Sequence, residues 1–280
     1  MQTLTEKRVF GDKSGTTELF VASETGLVGV SVSADQIGEF GLAHRGPVGA
    51  VAASDEGVLI GTDDGLEHSG PAETAAERAQ WRTFDPVDAP VGAVDAVGWG
   101  PGGPVAAGDD HLVGRLNDEW VSLGHIEDVR AVDGGLVAAD NGVYRLTTAG
   151  VDHVGLDDVR DVAGHGQPLA ATADGLFALA NGWQSVADGA FDRVASDGHG
   201  HAHAVGPAGL RRRVEATGEW TSTELPVGSP AVDVAYGGGI VAAVTEDGTL
   251  CVDAGDGWRH QLLGVRGVNG VAVGAGNDAE

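Results

Sequence analysis

A chain of 280 residues with one cysteine, Cys251, and a net charge of −26 excludes several classes of protein before any motif is sought. A lone cysteine forbids an internal disulfide and fits a reducing compartment. No charged-then-apolar leader opens the chain and no apolar run is long enough to span a bilayer, so the expectation is a soluble, cytoplasmic protein. The 42 Asp and Glu residues are scattered, only two of the 16 basic residues are lysines (Lys7 and Lys13), and this balance argues against a nucleic-acid backbone as the main ligand.

Residues 1–18 carry both lysines and no periodic pattern, and read as an N-terminal arm. From residue 19 the chain repeats itself. A short run of small and apolar residues, a tight turn and a second apolar run recur at Thr25-Gly26-Leu27, Asp64-Gly65-Leu66, Asp110-His111-Leu112, Asn141-Gly142-Val143, Asp174-Gly175-Leu176, Ala208-Gly209-Leu210 and Asp247-Gly248-Thr249. Asp or Asn followed by Gly predicts hairpins with type I′ turns, because both central positions need left-handed geometry; His111 departs from that pattern and predicts a different turn.

A second column gives the same count of seven. Each repeat opens with two apolar residues three apart: Val48/Val51, Val91/Val94, Val129/Val132, Val159/Val162, Phe191/Val194, Ala231/Val234 and Val268/Val271. The first hairpin has no opening pair before it, and the last pair has no hairpin after it. The two halves complete one repeat, so the C-terminal strand Val268–Val273 is expected to join the N-terminal hairpin at Leu19–Ser23. Forty residues per repeat matches a four-stranded propeller blade. The predicted fold is therefore all-β: a seven-bladed β-propeller over residues 19–273, closed by that strand, with a flexible acidic tail at 274–280.

A third column places Trp81, Trp120, Trp183, Trp220 and Trp258 after the hairpins, where they are expected to pack between neighbouring blades. Within the second blade, Pro71–Gln80 has the composition of a helical insert. In the third, Trp99–Pro104 reads as a loop between the first two strands, with Trp99 as its cap.

The sixth blade breaks the pattern. His203 stands where the fifth has Leu169, and Arg211, Arg212 and Arg213 stand where it has Phe177, Ala178 and Leu179. These residues, with His201, are the candidate site for a partner or an anion, on the expectation that the hairpin is exposed. The competing reading pairs the arginines with local acids such as Glu215 and Glu219. If Pro207 and Ala208 form the turn, His203 lies opposite Arg212. His199, His201 and His203, two apart, have a usable metal-ligand spacing, but Gly198 and Gly200 place His199 in a turn and no carboxylate or Cys partner is legible; no metal and no cofactor is assigned. The acids that recur at the turns (Glu24, Asp63-Asp64, Asp109-Asp110, Asp140, Asp174, Glu246-Asp247) read as turn formers before they read as a cation-binding rim.

No phosphate loop, no Gly-x-Ser-x-Gly and no His-Glu-x-x-His is present, and Cys251 lies in the apolar run Thr249–Val252, where it is expected to be buried and inert. No catalytic residue is assigned. The hairpins Ile60–Leu66 and Leu169–Phe177 resemble repeats of sensor-type and Asp-box propellers; the Asp-box is incomplete, since Gly255-Asp256-Gly257-Trp258 lacks the preceding Ser or Thr, and no sialidase arginine triad is recognisable. Over its whole length the chain resembles a family of haloarchaeal β-propeller proteins, on its acidic, lysine-poor composition, its seven turn copies and its one helical insert. That resemblance implies the fold and no assigned activity. The composition agrees with adaptation to molar salt, where screening relieves the self-repulsion of so acidic a surface; an acidic face for a basic partner is the alternative. The expected function is a non-catalytic, monomeric scaffold or sensor that binds a protein or other macromolecular partner and engages no membrane. The alternative is a metal-dependent propeller hydrolase with its site at the central channel.

Overall fold

A computed structural model describes residues 16–72, 82–148 and 150–274. Its strands form seven four-stranded antiparallel sheets, arranged as the blades of a seven-bladed β-propeller. The last strand, Val268–Val273, pairs antiparallel with the first, Thr16–Ser23, with Leu19 opposite Val273 and Val21 opposite Val271. The ring is thus closed by the C-terminal strand as expected, and this composite sheet is blade 1. Residues 16–18, read above with the arm, belong to its strand. Residues 1–15 of the arm, 275–280 of the tail and 73–81 of the helical insert, Trp81 included, lie outside the described residues.

Within a blade, strand composition follows position. The second strand lies between flanking blades and is covered on both faces, so Gly57–Thr62, Leu136–Ala139, Leu169–Thr172 and Ile240–Thr245 are buried at every residue. They read as unbroken runs of small and branched apolar residues rather than alternating patterns. Outer strands such as Trp183–Asp188 and Arg259–Leu262 face solvent. The core is divided into seven apolar clusters, one at each blade–blade interface. Trp120, Trp183, Trp220 and Trp258 each pack against one of these clusters, as the third column requires. Cys251 is fully buried, and burial raises its thiol to about 11.

Three local expectations are corrected. Except at Asp247-Gly248, where Gly248 lies within the turn at φ 80°, the glycine of these copies is not a central turn residue. Thr62 pairs with Gly65 and Ser23 with Gly26, so the turns are Asp63-Asp64 and Glu24-Thr25, and the glycine opens the third strand. Gly26 and Gly65 there have φ of 144° and 130°. A Cβ on Gly26 would also come within 2.2 Å of the His44 carbonyl oxygen on the outer strand, so only glycine fits. The copy that lacks glycine holds the turn with two left-handed residues, Asp109 (φ 50°) and Asp110 (φ 62°), the geometry expected of the others. A hydroxyl one residue before the turn closes several copies: Thr62 and Thr172 donate to the carbonyls of Gly65 and Gly175 and accept the N–H groups of Asp64 and Asp174.

In blade 3 the opening pair is Val94/Val97, not Val91/Val94. The Val94 N–H donates to Thr62 O as the Val48 N–H does to Ser23 O, and three valines in one spacing allowed the slip. Trp99 sits in the inner strand Ala96–Gly100, not in a loop, and its ring lies edge-on to His68 at 6.0 Å.

Candidate functional site

The propeller has two unlike faces. The turns between second and third strands share one face with the connectors between blades: Phe191 N–H, for example, donates to Thr172 O. The loops between first and second strands, and between third and fourth, lie on the other. A cavity of about 1180 Å³ runs along the axis and extends sideways between blades 6 and 7.

That fissure is built by the anomalous hairpin of blade 6. Gly206 pairs with Gly209 around Pro207-Ala208, and His203 lies opposite Arg212. Strand alternation then sends His203 and Arg212 to one side and Arg211 and Arg213 to the other. His203 is buried, 5% exposed, against blade 7. Its Nδ1 is 2.5 Å from the hydroxyl of Tyr236 on the inner strand Ala231–Gly237, and its ring is 6.0 Å, edge-on, from Trp258. Burial, with help from the Arg212 charge, pushes the imidazole down to about 4. Burial and the charges of Asp197 and Asp253 raise the Tyr236 phenol. The hydroxyl therefore stays protonated and hydrogen-bonds a neutral ring.

Arg212 is exposed on the fissure wall and, among the described residues, has no ion-pair partner. The nearby acids are engaged elsewhere. Asp197 accepts the N–H groups of His199 and His201 at 2.7 and 3.0 Å and the His201 Nδ1 at 2.6 Å; against the effect of burial, these bonds hold its carboxyl below the usual value. Asp253 accepts from the N–H groups of Gly255 and Gly257 at 2.7 and 3.0 Å.

The candidate residues are thus divided by the structure. His203 and Arg212 meet in the fissure, and His201 sits exposed at its rim, its Nε2 3.8 Å from Glu215. Arg211 points toward blade 5, its guanidinium 5.4 Å from the centre of the Phe191 ring. The hairpin is not exposed as a unit, since His203 is interior. Nor do the arginines pair with Glu215 and Glu219: Glu215 approaches His201, and Glu219 accepts from the Thr217 hydroxyl. His199 turns back on its own loop, Nδ1 2.8 Å from Asp197 O, so the three histidines do not converge. Among the described residues, no three His, Cys, Asp or Glu side chains are grouped to hold one metal ion.

Deeper in the channel lies a group the sequence reading did not single out. The third residues of the opening segments, on the inner strands, are Ala50, Ala96, Ala131, Asp161, Arg193, Asp233 and Gly270 around the ring. Three consecutive blades, 5 to 7, thus place Asp, Arg and Asp on the channel wall where the other four have a small residue. Arg193 Nε is 3.9 Å from Asp233 Oδ1. Asp161 accepts the N–H of Val194 on the next blade, and Asp233 that of Val271 on the next, each at 2.8 Å. Burial raises Asp161 to about 7, a rise that Asp233 reinforces and Arg193 opposes. Burial also raises Asp233, and Arg193 again pulls the other way. The signal was present: Val-Arg-Asp-Val, Phe-Asp-Arg-Val and Ala-Val-Asp-Val show charge at one position of a column read only for its apolar members.

At the opposite mouth the arginine is caged. Arg130 donates to Asp128, Asp140 and Asp158 at 2.7, 2.9 and 2.7 Å. Against the effect of burial, Asp158 and Asp128 raise its guanidinium further.

A closed ring of seven four-stranded blades around a polar channel, with one blade–blade fissure opening off it, defines the class: a seven-bladed β-propeller. Residues 3–274 match the model of the HVO_0234-like β-propeller family, and the chain belongs to that family. Comparison with curated proteins found no match. Among solved structures, the chain is similar to the WD40 β-propeller domain of Doa1 (TM-score 0.62, 15% identity, covering 80% of this chain and 84% of that one). It is also similar to apo AztD from Citrobacter koseri (0.59, 12%, 95% and 100%) and to YCF48 bound to D1 peptide (0.57, 10%, 81% and 92%). At these identities the similarity shows the fold alone. No helix among the described residues is long and apolar enough to cross a membrane.

Proposed function

We propose that the chain is a non-catalytic binding module that holds a protein partner at the face where the channel meets the fissure between blades 6 and 7. One observation carries this: the two faces of the channel treat their arginines differently. Arg130 is saturated by three carboxylates of its own chain, while Arg212 is held in reach of a cavity of about 1180 Å³ with none among the described residues. Binding sites of this kind are concave, with a few polar groups fixed against an aromatic wall, here Tyr236 and Trp258. Most of the acids lining the channel, Asp133, Asp161, Asp197, Asp233 and Asp253, accept backbone N–H groups, which fits a rigid wall better than a set of free bases. Among similar propellers, the structure of YCF48 holds a D1 peptide.

The test is a photo-crosslinking residue placed at His199, on the fissure face, or at Asp110, on the opposite face, in the full chain. Each variant is incubated at molar salt with lysate of the source cells. A protein cross-linked from position 199 and not from 110 is the expected result. Cross-linking only from 110, or equally from both, would overturn the assignment of the face.

A further inference from the structure

We infer that the fissure between blades 6 and 7 is a carboxylate-binding site, and that its occupant is an acidic segment of the protein partner, seated on Arg212. This rests on the proposed binding function and assigns the chemistry of the contact. The same two strand positions in blade 5 carry Leu169 and Ala178, paired in the same register and buried in the interface with blade 6. An apolar pair therefore fills this position where only packing is required. Blade 6 has His203 and Arg212 instead, and the surroundings are fitted to the imidazole: Tyr236 hydrogen-bonds it, and Trp258 stands edge-on to its ring.

The charge of Arg212 finds no such partner. It is the cation of choice for a planar, two-point contact with a carboxylate, presenting paired N–H donors in a fixed fork. The acids nearest the site, Asp197 and Asp253, keep their charge but are engaged by His201 and by loop N–H groups, and among the described residues neither forms an ion pair with Arg212. On a chain of net charge −26, an exposed guanidinium without an ion-pair partner among the described residues is a point of positive charge offered to a ligand. At molar salt the screening length is only about 3 Å, so long-range repulsion of an acidic partner is suppressed while a contact ion pair persists. Arg211 and Arg213 face blade 5 and take no part.

The experiment titrates the full chain in molar potassium chloride with an acetylated, amidated Glu-Asp-Glu-Asp peptide, and separately with acetate and inorganic phosphate. Calorimetry is read alongside the ring-nitrogen resonances of His203. The expected result is saturable peptide binding that shifts the His203 resonances, weakened at least tenfold in R212S, partly restored in R212K and unchanged in R211S and R213S. Peptide binding that survives R212S, or no shift of His203 with any probe, would overturn the carboxylate site. Binding of acetate or phosphate but not of the peptide would overturn the protein source. If the partner still cross-links from position 199 when Arg212 is serine, the face is right and the carboxylate contact is wrong. If the peptide binds at Arg212 but the partner cross-links elsewhere, the contact is right and the face is wrong.

Discussion

The fifth and sixth blades present the same two strand positions to the blade that follows each of them, and fill them with opposite chemistry. Leu169 and Ala178 close the interface between blades 5 and 6 with apolar side chains that are almost fully buried. His203 and Arg212 leave the interface between blades 6 and 7 partly open to the channel. The backbone register is the same, so the difference lies in the neighbours. Blade 7 offers Tyr236 as hydrogen-bond partner to the imidazole, and an open fissure in which the guanidinium is exposed. Propeller geometry tolerates a polar pair at this depth only where the adjoining blade supplies a hydrogen bond and water has access.

The largest expected effect comes from imposing the second solution on the first. In L169H/A178R the short Ser196, whose hydroxyl already accepts the Gly198 N–H, stands where blade 7 has Tyr236, and the guanidinium enters an apolar cluster. Stability should fall by about 3–5 kcal/mol, read by denaturant unfolding in high salt. A loss below about 1 kcal/mol would show that the interface between blades 5 and 6 is as adaptable as its neighbour.

A middle-sized effect separates His203 from the channel acids by pH. Asp161 has a folded value of about 7, above its usual 3.8. The folded state keeps a proton that the unfolded chain has released, so its contribution falls as pH rises from about 4 to 7. His203 has a folded value of about 4, below its usual 6.5. The unfolded chain then holds a proton that the folded state lacks, and stability falls as pH drops from about 6.5 to 4. The two slopes oppose each other in the wild type. D161N should make stability rise more steeply with pH across that window, and H203Q should make it rise less, each by about 1–2 kcal/mol between pH 4.5 and 7 once water in the channel is allowed for. Parallel curves for the three proteins would show that neither group is perturbed.

The smallest effect distinguishes the two sides of one strand. R211S removes the contact with the Phe191 ring and should cost about 0.5–1 kcal/mol. R212S should leave the melting temperature unchanged, since Arg212 gives up no ion pair. A larger loss of stability in R212S than in R211S would mean that the fissure depends on Arg212 for its own cohesion.

Much of this was determined by the sequence alone. Two independent columns, the turns and the opening pairs, gave the number of blades, and the orphan strand at Val268–Val273 gave the closure. Burial on both faces forces small and branched residues at fixed spacings, and such constraints repeat visibly. The pairing of His203 with Arg212 followed from the length of the Pro207-Ala208 turn. Tertiary structure decided what a period of two leaves open. Alternation says that Arg212 points away from Arg211 and Arg213, but not which side meets blade 7 and its Tyr236. It also decided why a given copy needs its glycine: at Gly26 the His44 carbonyl on the outer strand leaves no room for a Cβ, whereas Gly248 lies within its turn at φ 80°. The Asp161, Arg193 and Asp233 group is the clearest case. Its members lie 32 and 40 residues apart and become neighbours only because seven inner strands meet around one axis, where burial raises the two carboxyls against the pull of Arg193 and the carboxylates raise Arg193 against its own burial.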